Sequence, residues 1–98
     1  MVNLYRRGRI AERKVVNSLK RKGFRNIRRS KGSRGPADIY ARKGETKFYI
    51  QVKYGEARPS RREIRRLRNL AKRRGGVAAV VHRSKDGRNK WKFLGRWG

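Results

Sequence analysis

The chain has 98 residues, which is one domain's worth of core. Lys and Arg number 32 against 6 Asp and Glu, a formal charge of +26 at pH 7, so a folded surface of this kind repels itself unless a polyanion is near, and DNA or RNA is the polyanion that fits. The lack of cysteine excludes disulfides, thiolate zinc sites and cysteine nucleophiles, and with no long apolar run and no signal-like segment the expected setting is a reducing cytoplasm, not a membrane.

Hydrophobic residues make up 35% of the chain and fall in periodic segments bounded by turn signals, so it is expected to fold and not to act as a disordered basic tail. From about Asn3 to Lys22, the residues Leu4, Ala11, Val15, Val16 and Leu19 recur at helical spacing, and Gly23 is a stop signal. Phe24 to Arg29 alternates weakly around Phe24 and Ile27 and reads as a strand. The Lys31-Gly32-Ser33-Arg34-Gly35-Pro36 stretch then reads as a basic loop. Ala37 to Arg42 and Lys47 to Tyr54 are β-like runs joined by Lys43-Gly44-Glu45-Thr46, which predicts an antiparallel hairpin.

Ser60-Arg61-Arg62-Glu63 is a capping-box pattern, and Ile64, Leu67, Leu70 and Ala71 form the apolar stripe of a helix that runs to Arg74 and stops at Gly75-Gly76. Val77 to His82 is a short continuous apolar run, as in a central strand covered on both faces. After the Lys85-Asp86-Gly87-Arg88-Asn89 turn, Lys90 to Leu94 is predicted to be a final edge strand with Trp91 and Phe93 on one face. The order α-β-β-β-α-β-β predicts an α/β sheet flanked by helices in one unit spanning 1–98.

With so few acids, the place of each is informative. Glu45 falls in a hairpin turn, Glu56 just past a strand, Glu63 in the capping box and Asp86 in an Asp-Gly turn, which leaves Glu12 and Asp38. Aspartate is a poor strand former, yet Asp38 opens a β-run after Gly35-Pro36-Ala37. On the partner run, Gln51 and Lys53 share one face while Val52 takes the other, so the hairpin can gather Asp38, Gln51 and Lys53. A carboxylate, an amide oxygen and an ammonium together suit a hard divalent cation and the water it activates, the chemistry of phosphodiester hydrolysis. His82 lacks a partner motif and is expected to be a satisfied core or edge histidine and not a general base.

In these elements the sequence resembles the PD-(D/E)xK nuclease superfamily, and more closely the archaeal Holliday junction resolvases within it. The resemblance spans nearly the whole chain and is carried by the helix Gly8-Arg9-Ile10-Ala11-Glu12-Arg13-Lys14-Val15-Val16, the loop Ser30-Lys31-Gly32-Ser33-Arg34-Gly35-Pro36-Ala37-Asp38-Ile39 and the strand Tyr49-Ile50-Gln51-Val52-Lys53. It implies a single restriction-endonuclease-like domain with a mixed central sheet flanked by helices. Glu12, Asp38, Gln51 and the Val52 carbonyl would help to hold Mg²⁺ or Mn²⁺, and Lys53 would orient or polarise the attacking water. Position 51 departs from the family pattern, which has Glu or Asp there, so metal affinity is expected to be lowered.

The same resemblance implies a homodimer that cuts branched DNA, above all a four-way junction, at two centres. Shape and not base sequence would select the substrate, with backbone contacts from Arg6, Arg7, Arg9, Arg28, Arg29, Lys31, Ser33, Arg34, Arg61, Arg62 and Arg65. Trp91, Phe93 and Trp97 are expected to line a core or a dimer interface more than to stack on bases. Two other readings fit the composition: a non-catalytic DNA- or RNA-binding module on the nuclease fold, and a nuclease acting on non-junction DNA.

Overall fold

The computed structural model describes the backbone over residues 4–30 and 35–98, and side chains over 9–30 and 35–98. Seven elements follow one another: α1 (Leu4–Arg21), β1 (Arg25–Arg29), β2 (Ile39–Lys43), β3 (Thr46–Tyr54), α2 (Arg61–Arg74), β4 (Gly76–Arg83) and β5 (Asn89–Trp97). The predicted α-β-β-β-α-β-β order is the observed one. The strands make one five-stranded mixed sheet in chain order, β1-β2-β3-β4-β5. All neighbours are antiparallel except β3 and β4, which α2 connects as a parallel pair.

Strand alternation sorts the core into two layers. Ile39, Ala41, Ile50 and Val81 turn to one face, where Val15 and Leu19 of α1 close over them together with Phe24. Tyr49, Ala78 and Val80 turn to the other, beneath Leu67, Leu70 and Ala71 of α2. β4 is buried on both faces from Gly76 to Val81, as its unbroken apolar run predicts, although the middle of the sheet is β3. Truncating Leu67, which is 0% exposed, would cost about 2–5 kcal/mol in lost contacts and cavity.

The local signals act as predicted. Ser60 Oγ accepts the Glu63 N–H at 3.1 Å while Glu63 Oε1 accepts the Ser60 N–H at 3.0 Å, which closes the capping box at the start of α2. Lys43 pairs with Thr46, and Gly44, with φ 61°, takes the first central position of the hairpin turn between them.

β5 is longer than its predicted Lys90–Leu94 core and carries a register shift opposite Ala78 and Ala79, where Phe93 and Gly95 are the paired residues and Leu94 is extra. Strict alternation would put Trp91, Phe93 and Trp97 on one face. The bulge divides them: Trp91 stacks on Phe24 and Phe93 on the α1 side, whereas Leu94 and Trp97 pack into the α2 layer. Phe93 is left 61% exposed. No helix among the described residues is long and apolar enough to cross a membrane.

Candidate active site

The hairpin brings the predicted residues together at one end of the sheet. Ile39 pairs with Ile50, so Asp38 lies beside the opening of the β2–β3 ladder. Its backbone N–H donates to Ile50 O at 2.8 Å, its carbonyl accepts the Ser30 N–H at 2.9 Å, and its side-chain Oδ2 accepts the Val52 N–H at 2.8 Å. The carboxylate thus stands where a strand carbonyl would continue the ladder, which accounts for an aspartate at this position of a β-run. Gln51 and Lys53 project from β3 on the α2 face, with Val52 between them packed toward the α1 layer.

Asp38, Gln51, Val52 and Lys53 line one cavity of about 330 Å³, with Glu12 on its α1 wall and Glu63 and Arg66 on its α2 wall. Other hollows are lined by no acid: one of about 530 Å³ lies beside Arg28, Arg42, Lys47 and Arg74, an open apolar one of about 800 Å³ runs along Phe24, Phe48, Trp91 and Phe93, and one of about 350 Å³ lies along Arg61, Arg65 and Lys72 of α2. Of these four cavities, the one at Asp38 alone is lined by carboxylates among the described residues.

Glu63 was assigned by its sequence position to the helix cap alone, and in the structure it does more. Its Oε2 accepts from Gln51 Nε2 at 2.6 Å and from Lys53 Nζ at 2.9 Å, while Oε1 serves the cap. Gln51 is 6% exposed, and its Oε1 has no hydrogen-bond partner among the described residues. The only local sign of this second role is the place of Glu63 at the N-terminal end of the helix that follows β3. Across the cavity, Glu12 Oε2 pairs with Arg29 Nη2 of β1 at 3.0 Å.

The electrostatics divide the acids. Burial pushes the Asp38 carboxyl up from 3.8 to about 6; the Val52 N–H opposes this, the charge of Glu12 adds to it, Lys53 lowers it and Glu63 raises it. Glu63 is held below the usual carboxylate range, first by the Ser60 backbone N–H, against its own partial burial, and further by Lys53. Two acids with opposed shifts thus share one cavity with an ammonium.

Of the predicted backbone contacts, Arg9, Arg28, Arg61, Arg62 and Arg65 are exposed, and Arg29 is engaged with Glu12 and with the Arg9 carbonyl. Arg6 and Arg7 lie on α1 with side chains outside the described residues, as do Lys31, Ser33 and Arg34 altogether. Arg66, one basic residue in a run of them on α2, lines the cavity. His82 Nε2, at the strand end, lies close to the Gly55 carbonyl and 2.9 Å from Arg58 Nη1, and it donates to the first or accepts from the second according to its tautomer.

Comparison with known proteins fits this arrangement. No curated protein matches the chain. Among solved structures, it superposes on Archaeoglobus fulgidus Hjc, described as a Holliday junction resolvase from an archaeal hyperthermophile, with a TM-score of 0.77 and 27% identity over 90% of this chain and 73% of that one. The family model for the archaeal Holliday junction resolvase (Hjc) matches residues 3–96, and with the restriction-endonuclease-like fold this places the chain in that family.

Proposed function

We propose that this protein is a divalent-metal-dependent, structure-selective endodeoxyribonuclease that cuts four-way DNA junctions by phosphodiester hydrolysis. The observation that carries the reading is the convergence of Asp38, Gln51 and Lys53 on one acid-lined cavity in a chain of charge +26. Family membership and the likeness to an archaeal junction resolvase supply the substrate class.

The donor set suits a hard cation. Among the described residues no three His, Cys, Asp or Glu side chains are grouped closely enough to hold a metal ion. Mg²⁺ asks for less: it keeps several of its waters and takes one or two carboxylates, so Asp38 with the Gln51 amide oxygen and the Val52 carbonyl is an adequate all-oxygen set, and Mn²⁺ fits the same ligands. Glu12 would stand behind them across the cavity. The unpartnered Gln51 Oε1 supports this fit, because a buried oxygen without a donor is costly unless something electropositive faces it.

When bound, the cation would supply a Lewis acid for the phosphate oxygens and a water of lowered pKa. This chain's residues do the rest. Asp38, fixed by the Val52 N–H, holds its charge toward the cavity, and Lys53 on the same strand face orients the attacking water and faces the charge that develops on phosphate. Arg66 at the rim and the exposed Arg61, Arg62 and Arg65 draw the backbone in by replacing its counterions, a contact that reads shape and not sequence.

The acting unit in this reading is one nuclease domain over 1–98 in a cytoplasmic homodimer, with two centres addressing opposed strands. The exposed Phe93 stacked on Trp91 supports an apolar contact between copies.

Cleavage of a labelled four-way junction, beside a duplex of the same sequence, in Mg²⁺, Mn²⁺ or EDTA tests the proposal, with a gel shift reporting binding. Paired, metal-dependent nicks in the junction alone are expected. Tight binding without nicks in any metal would leave a non-catalytic module, preference for RNA would leave an RNA-binding one, and equal cutting of duplex would leave a less selective nuclease.

A further inference from the structure

We infer that Glu63, from the first turn of α2, is the carboxylate that stands in for the missing strand acid at position 51 and serves as a cation ligand of this centre. The inference rests on the metal-dependent reading above and adds to it a residue that neither the strand motif nor the family pattern assigns.

The neutral amide at position 51 leaves Asp38 as the sole carboxylate on the sheet wall of the cavity, one negative charge set against the Lys53 ammonium. Glu63 reaches the same place from the opposite layer: its Oε2 lies 2.6 Å from Gln51 Nε2 and 2.9 Å from Lys53 Nζ. The capping box fixes the side chain by its other oxygen, Oε1, on the Ser60 N–H at 3.0 Å, so the oxygen turned to the cavity is held by the start of a helix and not by a mobile loop. A second observation points to a ligand independently: Gln51, 6% exposed, lines the cavity with an Oε1 that no described residue satisfies. One amide oxygen and two carboxylates, those of Asp38 and Glu63, thus line the cavity together with Lys53.

The competing account is a helix-capping glutamate that merely tethers Lys53. It differs from the proposal in one respect that can be tested. A capping box accepts Gln in place of Glu, so Glu63→Gln keeps the helix start while removing the charge, one cation-binding oxygen and the acceptor of Gln51 Nε2 and Lys53 Nζ; recovery of cation binding when a carboxylate is restored at position 51 is what separates a ligand from a tether.

The test is a titration of Mn²⁺ without DNA, with free Mn²⁺ read by electron paramagnetic resonance, on the parent, Asp38→Ala, Glu63→Gln, Gln51→Glu and the double variant Gln51→Glu/Glu63→Gln. Thermal melts by circular dichroism confirm that each is folded. Glu63→Gln is expected to weaken Mn²⁺ binding by about tenfold or more, as loss of ligand charge does, and the double variant to recover it. Binding by Glu63→Gln equal to the parent, with Asp38→Ala impaired, would overturn the role of Glu63 and leave the metal centre standing. Loss in Glu63→Gln without recovery in the double variant would also overturn it, since the charge would then not be exchangeable between the two positions. A parent that binds no Mn²⁺ would overturn the metal-dependent reading itself, and this inference with it.

Discussion

The Asp38 carboxylate accepts the Val52 backbone N–H at 2.8 Å, so the carboxyl that burial makes a weaker acid is also a piece of the sheet's hydrogen-bond ladder. Burial makes its charge costly, and the geometry keeps it in place regardless. In the unfolded chain Asp38 titrates near 3.8 and in the folded one near 6. The folded state therefore holds the proton more tightly, and its stabilising contribution is fully present below pH 3.8 and is lost as pH rises through about 6. Asp38→Asn keeps an oxygen for the Val52 N–H and never ionises. It is expected to be more stable than the parent by about 3 kcal/mol at pH 8, with the difference vanishing below pH 3.8, as measured by urea unfolding on either side of the transition. Junction cleavage by this variant is expected to be lost.

Ser60 supplies the hydroxyl half of the α2 cap. Ser60→Ala is expected to lower stability by about 1 kcal/mol and Ser60→Thr to preserve it, read from denaturant midpoints.

Arg61 and Arg65 are exposed on one stretch of α2 beside the cavity's Arg66. If they neutralise phosphates, the double variant Arg61→Ala/Arg65→Ala weakens junction binding and lowers the slope of log K against log salt by about 2. The slope is obtained from binding isotherms at several NaCl concentrations, and an unchanged slope would remove both residues from the DNA-facing surface.

Phe93 is 61% exposed, with one ring face stacked on Trp91. If the proposed homodimer forms through this ring, Phe93→Asp shifts the sedimentation coefficient from dimer to monomer with little change in secondary structure. A parent that sediments as a monomer would contradict the dimer.

Much of this molecule is local in origin and could be read locally. The capping box at Ser60 and Glu63, the stripe Val15–Leu19 and the unbroken run of β4 each state their structure within a few residues, and the hairpin fixes Asp38 against β3 by short-range pairing. What escaped was set by packing between elements distant in sequence. The reach of Glu63 to Gln51 and Lys53 depends on how α2 crosses the sheet, and the Glu12–Arg29 pair depends on where α1 lies over β1. Neither has a sequence period. The bulge at Leu94 likewise hides behind Gly95, which breaks the alternation just where the strand changes the side its rings face.

That single extra residue has a consequence for how the protein can diverge. Trp97 and Leu94 are committed to the α2 layer, while Phe93, two positions from Trp91 on the same strand, faces outward. The strand therefore keeps its structural obligations and its outward contacts at separate addresses. Substitutions at Phe93 can remodel what the molecule meets while the far side of the sheet, where the cavity's Gln51 and Lys53 project beneath α2, goes on being selected for its own geometry.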